Sequence, residues 1–327
     1  NEEAIRAYSS RILATKGKDI STGQIVDPLT FVGIEVEVEG MQGAIEAPRG
    51  SIPVALTPTL GPLWDVRQDG SLRNYGLEFV SHPIRDKAII AALVELNSFL
   101  REKTPEHDFS ERTSVHIHVN VRDMTVETVF NLLLTYLVFE GAFYKSVFDL
   151  CLRNREENIF CLPVKDSGRT LQINKAITFF EKGDTFSAIH SLSSSWRKYA
   201  GINFLPISTF GTVEFRHLGG TSDVARTLLW INLLLCLKKF ASQSFYESLK
   251  GQLLDLNTNS MYEMFTKEVF GIHAGQILRH NVKEELERGV VFVKYLLYNK
   301  LPNEVTAINK SFEKSSMKEF LSKKMEL

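Results

Sequence analysis

The sequence predicts an α+β protein, with a mainly antiparallel sheet backed by helices and then a helical C-terminal region. Short segments in the first two-thirds alternate apolar and polar residues, the two-residue period of a half-buried strand. Longer stretches between them repeat apolar residues at helical spacing, and from Asp223 onward that spacing takes over. The 327 residues are 44% hydrophobic and 24% charged, enough apolar matter for one large core or two modest ones.

Phe31 to Glu39 alternates apolar and acidic residues and predicts a strand. A loop containing Gly and Pro runs from Gly40 to Pro62. Trp64 to Arg67 predicts a short strand, Asp69-Gly70 a turn, and Leu77 to His82 a strand that Pro83 ends. Ile84 to Glu102 has helical periodicity, Ser114 to Val121 alternates again, and Thr125 to Asn154 is mostly helical. Arg155 to Asp184 is mixed, with a short helix inside it. Tyr199 to Phe204 and Thr212 to His217 predict strands around a loop holding Pro206 and Gly211. Helices are expected over Val224 to Leu249, Met261 to Phe270, Gln276 to Asn299 and Asn309 to Met325. The chain thus divides into an N-terminal extension (1–30), a central unit (31–241) and a helical C-terminal region (242–327).

With 38 basic against 39 acidic residues, the balance gives no general nucleic-acid or membrane surface. Cys151, Cys161 and Cys236 show no metal-ligand spacing and read as thiols in a reducing compartment. Asn1 to Asp27 is charged and polar, with no secretory leader in it. Val129 to Phe148 carries Asn131, Thr135, Glu140 and Lys145, and Leu228 to Leu237 is too short for ~30 Å of hydrocarbon. Both read as core helices, so the expectation is a cytoplasmic protein with no membrane span.

Chemistry concentrates on the polar faces of the strands. From Gly33 to Glu39, alternation sends Ile34, Val36 and Val38 to one face and Glu35, Glu37 and Glu39 to the other. Carboxylates two residues apart on a strand are about 6.6–6.8 Å apart, so they repel unless a cation sits over them or water screens them, as on a solvated edge strand. From Ser114 to Asn120, His116, His118 and Asn120 share a face. That is a first-row metal or phosphate site, or else a pair of structural histidines. In Thr212 to Arg216, Glu214 and Arg216 point one way: a surface ion pair, or a metal ligand beside a phosphate clamp. Asp69 to Ser71 is a turn or a contributor of Asp69, and Glu78 lies in an otherwise apolar strand. A solvated sheet face normally mixes Lys, Thr, Ser and Glu. Here it holds metal- and phosphate-binding types on several strands together, and a catalytic trough explains that better than separate surfaces.

In this order the residues resemble the amidoligase family of the glutamine synthetase-like carboxylate–amine ligases. The matching pieces are Gly33 to Glu37, Asp69 to Ser71 with Gly76 to Pro83, Val115 to His118, Arg197 to Asn203, Gly211 to Arg216 and Gly219 to Thr221. They span roughly 31–235, and the C-terminal part carries none of them. The resemblance implies a curved antiparallel sheet forming a funnel, ATP entering at one end and two or three Mg²⁺ or Mn²⁺ ions between. It implies that ATP phosphorylates a small-molecule or peptide carboxylate and that an amine attacks the acyl phosphate. Carried over by position, Glu35, Glu37, Glu78, His116 and Glu214 become metal ligands. Asp69 belongs with them or with the catalytic groups Arg216 and Arg197. His118, Arg216 and Lys198 become nucleotide contacts, Asn203 orients substrate or nucleotide, and Arg197 or Lys198 stands on the transferring phosphoryl group. The absence of a Walker A loop and of a Gly-x-Gly-x-x-Gly fingerprint suits phosphates gripped through metals and basic side chains. Substrate-selecting residues are expected on the loops from Gly40 to Pro62 and from Arg155 to Thr170. A metal-dependent hydrolase built on His116 and His118, and a catalytically silent family member, are the alternatives.

Overall fold

The computed structural model describes residues 2–16, 23–41, 60–151, 155–194, 196–279 and 282–298. The helix expected over Asn309 to Met325 and most of the loop from Gly40 to Pro62 lie outside them.

Six strands form one sheet: β1 (Val32–Val38), β2 (Trp64–Gln68), β3 (Leu77–Ser81), β4 (Ser114–Asn120), β5 (Ile202–Asn203) and β6 (Thr212–Gly219). Every pairing is antiparallel, in the order β2-β3-β1-β4-β6-β5, and the sheet is open, with β2 and β5 at its edges. The alternation explains the packing. Ile34, Val36, Val38, Phe79, Val115, Ile117, Val119, Val213 and Phe215 are all buried on the apolar face. That face is covered by α2 (Lys87–Lys103), α3 (Val126–Cys151) and α7 (Val224–Gln243). Phe99 of α2 meets Phe79 edge-on at 6.0 Å, and Tyr136 of α3 lies 6.0 Å from Phe215. Buried side chains of this size stabilise by roughly 1.5–3 kcal/mol each, which is why the sheet keeps this face inward. Val126–Val147 of α3 is long and apolar enough to cross a membrane, but 78% of its most apolar window is buried inside the protein. It has the position of a core helix.

Several elements differ from expectation. The N-terminal extension forms a helix, α1 (Glu2–Lys16), against α2, because Ser9 and Ile12 are buried there and the Tyr8 hydroxyl donates to Glu95. After α4 (Thr170–Glu181), a turn at Gly183 leads into a second helix, α5 (Thr185–Ser194), which packs on α4. The strand expected over Tyr199 to Phe204 shrinks to β5: at its start Ala200 bridges Leu162 instead of joining the sheet, and past its end Pro206 opens the short α6 (Pro206–Phe210). The long helix expected from Val224 breaks into α7 and α8 (Tyr246–Asp255). Tertiary bonds cause the break: Asn131 of α3 donates to the Ser244 carbonyl (2.7 Å), and the Tyr246 amide donates to Glu127 (2.8 Å). α9 (Asn259–Phe270) follows, and in place of the one helix expected over Gln276 to Asn299 stand α10 (Ala274–Leu278) and α11 (Lys283–Tyr298). α11 lies along α3, and Gly289 makes this close approach possible. A Cβ there would sit 2.3 Å from the Val138 carbonyl oxygen. The buried core is continuous from Ile12 of α1 to Leu297 of α11.

Candidate active site

The polar face of the sheet is set by register. Glu35 of β1 stands opposite His116 of β4, Glu37 opposite Glu78 of β3, and His118 opposite Glu214 of β6. Adjacent strands lie about 4.8 Å apart, so side chains of four strands meet in one band across the sheet. The turn after β2 adds Asp69 at one end.

Contacts inside the band are dense. His116 Nδ1 is 3.2 Å from one Glu35 oxygen and 3.4 Å from Glu214, while His118 Nε2 is 3.2 Å from the other Glu35 oxygen. Ser114 donates its backbone amide (2.8 Å) and its hydroxyl (2.6 Å) to one oxygen of Glu37. With its proton on Glu37, the hydroxyl accepts from His116 Nε2 at 2.7 Å. That leaves His116 Nδ1 facing two carboxylates, a place for either a proton or a metal ion. Asn203 donates to Glu214 at 2.6 Å, Arg216 pairs with the other Glu214 oxygen, and Thr212 bonds His118 Nδ1 at 3.0 Å.

Potential metal donors fall into three overlapping sets. One atom each of Glu35, His118 and Glu214 lie within 4.8 Å of one another, as do atoms of Glu35, Glu78 and His116, and of Glu37, Asp69 and Glu78. Hard divalent cations bind oxygen at about 2.0–2.6 Å, so ligands of one ion lie about this far apart. Glu35 belongs to two sets and Glu78 to two.

Charge is uneven along the band. Burial alone would raise the carboxyl of Glu35, yet hydrogen bonds from His116 and His118 hold it well below the ordinary range. Glu214 is likewise held down against its burial by Arg216, His116 and His118. Glu78 goes the other way. Burial, and then the charges of Glu35, Glu37 and Asp69, push it up to about 8. It is a carboxyl that lacks a cation.

Arg216 owes its placement to a β-bulge. Ile117 pairs with Phe215 and Val115 with Leu218, so Arg216 and His217 together face His116. Arg216 extends past Glu214, donates to the Phe160 carbonyl (3.2 Å) and lies 6.0 Å from the centre of the Tyr199 ring. His217 is buried among Tyr136, Tyr144 and Trp230. Its neighbour Gly201 must lack a side chain, because a Cβ there would meet the Tyr144 hydroxyl at 2.6 Å and His217 Nε2 at 2.8 Å.

The structure therefore brings together Glu35, Glu37, Glu78, His116, His118, Glu214, Arg216 and Asn203, with Asp69 at the end of the band. Arg197 and Lys198 are exposed on the loop before β5, where Lys198 sits over the Tyr199 ring at 4.9 Å. Among the described residues, no ion pair or hydrogen bond joins the side chain of either to the band. Ser114 and Thr212 escaped the sequence reading. Ser114 lies two residues before His116, so alternation alone assigns it to the same face. Cys161 and Cys236 are buried free thiols, as expected.

Residues 28–238 match the family described as "Putative amidoligase enzyme". A solved structure of a novel glutamine synthase homolog is similar to this chain at 12% sequence identity and a TM-score of 0.38, covering 90% of this chain and 69% of the other. No curated protein matches.

Proposed function

The chain belongs to the amidoligase family, and from that membership we propose that it is an ATP- and Mg²⁺- or Mn²⁺-dependent ligase joining a carboxylate to an amine. The observation that carries the reading is the row of three donor sets sharing Glu35 and Glu78, with Arg216 at its margin. The carboxylate oxygens fit hard divalent ions at spacings one ion can bridge, most purely in the set of Glu37, Asp69 and Glu78, while the two imidazoles draw the other two sets toward first-row ions. Glu35, Glu37, Glu78, His116 and Glu214 would hold such ions, with Asp69 beside them, and the ions would neutralise polyphosphate charge.

In the proposed reaction the γ-phosphoryl group of ATP passes to the substrate carboxylate, giving an acyl phosphate and ADP. The amine lone pair then attacks the acyl carbon, the bond to phosphate breaks, and phosphate and a proton leave as the amide forms. Such transfers need positioning and charge stabilisation more than covalent help from the protein. Arg216, fixed by Glu214 and the Phe160 carbonyl, presents a rigid fork to the phosphoryl oxygens. His118 contacts the nucleotide phosphates, and Asn203 orients Glu214 and the bound nucleotide. Arg197 or Lys198 reaches the transferring group from the loop before β5. In this reading the polar face is one wall of a funnel, 31–241 is the catalytic unit, and 1–30 and 242–327 flank it.

The test is ADP and phosphate release with Mg²⁺ and pools of amino acids, polyamines and peptides, comparing the wild type with Glu35→Ala and Arg216→Ala. Substrate-dependent release that both substitutions abolish supports the ligase. Metal-dependent hydrolysis without ATP would replace it with a hydrolase, and absence of both turnover and nucleotide binding with a silent protein.

A further inference from the structure

Arg155 is 2% exposed, and among the described residues no carboxylate pairs with it. Its described partners are all backbone carbonyl oxygens, so what the guanidinium does there is hold backbone. Nε reaches the His217 carbonyl (3.2 Å), Nη2 the Arg216 carbonyl (3.3 Å) and Nη1 the Glu111 carbonyl (3.5 Å). Two of these oxygens belong to the bulged residues of β6, where the ladder to β4 is interrupted. The same loop supplies the Phe160 carbonyl that accepts from Arg216 Nε. One segment therefore holds Arg216 at both ends, its backbone through Arg155 and its guanidinium through Phe160.

We propose that Arg155 is a positioning residue: its planar fork fixes the bulge carbonyls, and the fixed bulge aims the Arg216 guanidinium along the carboxylate band. A lysine would keep the charge but could not bond both carbonyls in one plane. That Arg216 then meets phosphate rests on the ligase reading; the aiming itself does not.

The test uses the full chain with isotope-labelled arginine. In the wild type the Arg216 Nε–H signal stands apart from those of exposed arginines. In Arg155→Lys it should move toward the exposed average while the far-ultraviolet circular dichroism is retained. Affinity for Mg²⁺-tripolyphosphate should fall by about tenfold or more, because small displacements of a positioned group are costly. The same substitution in an Arg216→Gln background should change that affinity by less than about twofold, since the two residues act as a unit. An unmoved Arg216 signal, or full effects that add in the double variant, would overturn the proposal. If Arg155→Lys does not fold, the unaltered protein decides: Arg155 should show separate, slowly exchanging Nη signals, and averaged signals would overturn it. A wild type that binds no Mg²⁺-tripolyphosphate counts against the ligase reading, and the Arg216 signal still decides this inference.

Discussion

Replacing Glu78 with glutamine keeps the shape of the side chain and removes the charge that Glu35, Glu37 and Asp69 oppose. Glu78 binds its proton up to about pH 8 in the folded protein, against an ordinary value of 4.5. Between those values the folded state holds one more proton than the unfolded state, so this group makes stability fall as pH rises. At about 1.4 kcal/mol per pH unit, going from pH 5 to pH 8 costs roughly 4 kcal/mol at full weight. Water screening at a half-buried side chain reduces that to about 2 kcal/mol. Glu78→Gln should therefore match the wild type near pH 5 and exceed it at pH 8 by about 2 kcal/mol, or about 3 °C in Tm for a chain of this size. Added Mg²⁺ should raise the wild-type Tm at pH 8 and raise the variant's less. Calorimetry at the two pH values checks both. An equal difference at pH 5 and pH 8, or a variant weaker at pH 8, would refute the account of Glu78 as a carboxyl short of a cation.

Other changes probe the same band and the core behind it. Glu214→Gln leaves Arg216 without its charge partner and should cost about 3 kcal/mol by urea denaturation. It should also lower ligase turnover by about a hundredfold, because Arg216 loses the carboxylate that fixes its place. Ser114→Ala strips the hydroxyl shared by Glu37 and His116 while Glu37 keeps its backbone donor, so about 2 kcal/mol should be lost. Burial, with the Arg155 charge beside it, pulls His217 down to about 3 from an ordinary 6.5. Its contribution is fully present above pH 6.5 and is lost as pH falls toward 3, so His217→Gln should flatten that part of the stability profile.

Much of this was readable before any coordinates. Strands with a period of two revealed their polar faces, so Glu35, Glu37, His116, His118, Glu214 and Arg216 could be grouped residue by residue. Alternation assigns a face, however, and not a neighbour. Only the register sets Glu35 against His116 and Glu37 against Glu78. The break at Ser244 carries no glycine or proline, because Asn131 and Glu127 of a distant helix impose it. Arg155 was hidden for the same reason: its partners are carbonyl oxygens of residues 44 to 62 positions away, and the identity of those residues is irrelevant to the bond. Helix α1 was hidden by its polarity, since only Ser9 and Ile12 are buried.

The donor sets overlap, and so they cannot act as independent ports. At the Glu214 end the carboxylates already sit among Arg216 and two imidazoles. At the Glu78 end, three carboxyl groups are answered by the exposed Arg67. The band is thus an electrical ramp laid across the strands. A polyanion arriving alone would meet balanced charge at one end and repulsion at the other. A cation entering the repelling end would level the ramp, and through the shared Glu35 and Glu78 it would alter what the next cation feels. If the ligase reading holds, a cation would have to arrive before the anion.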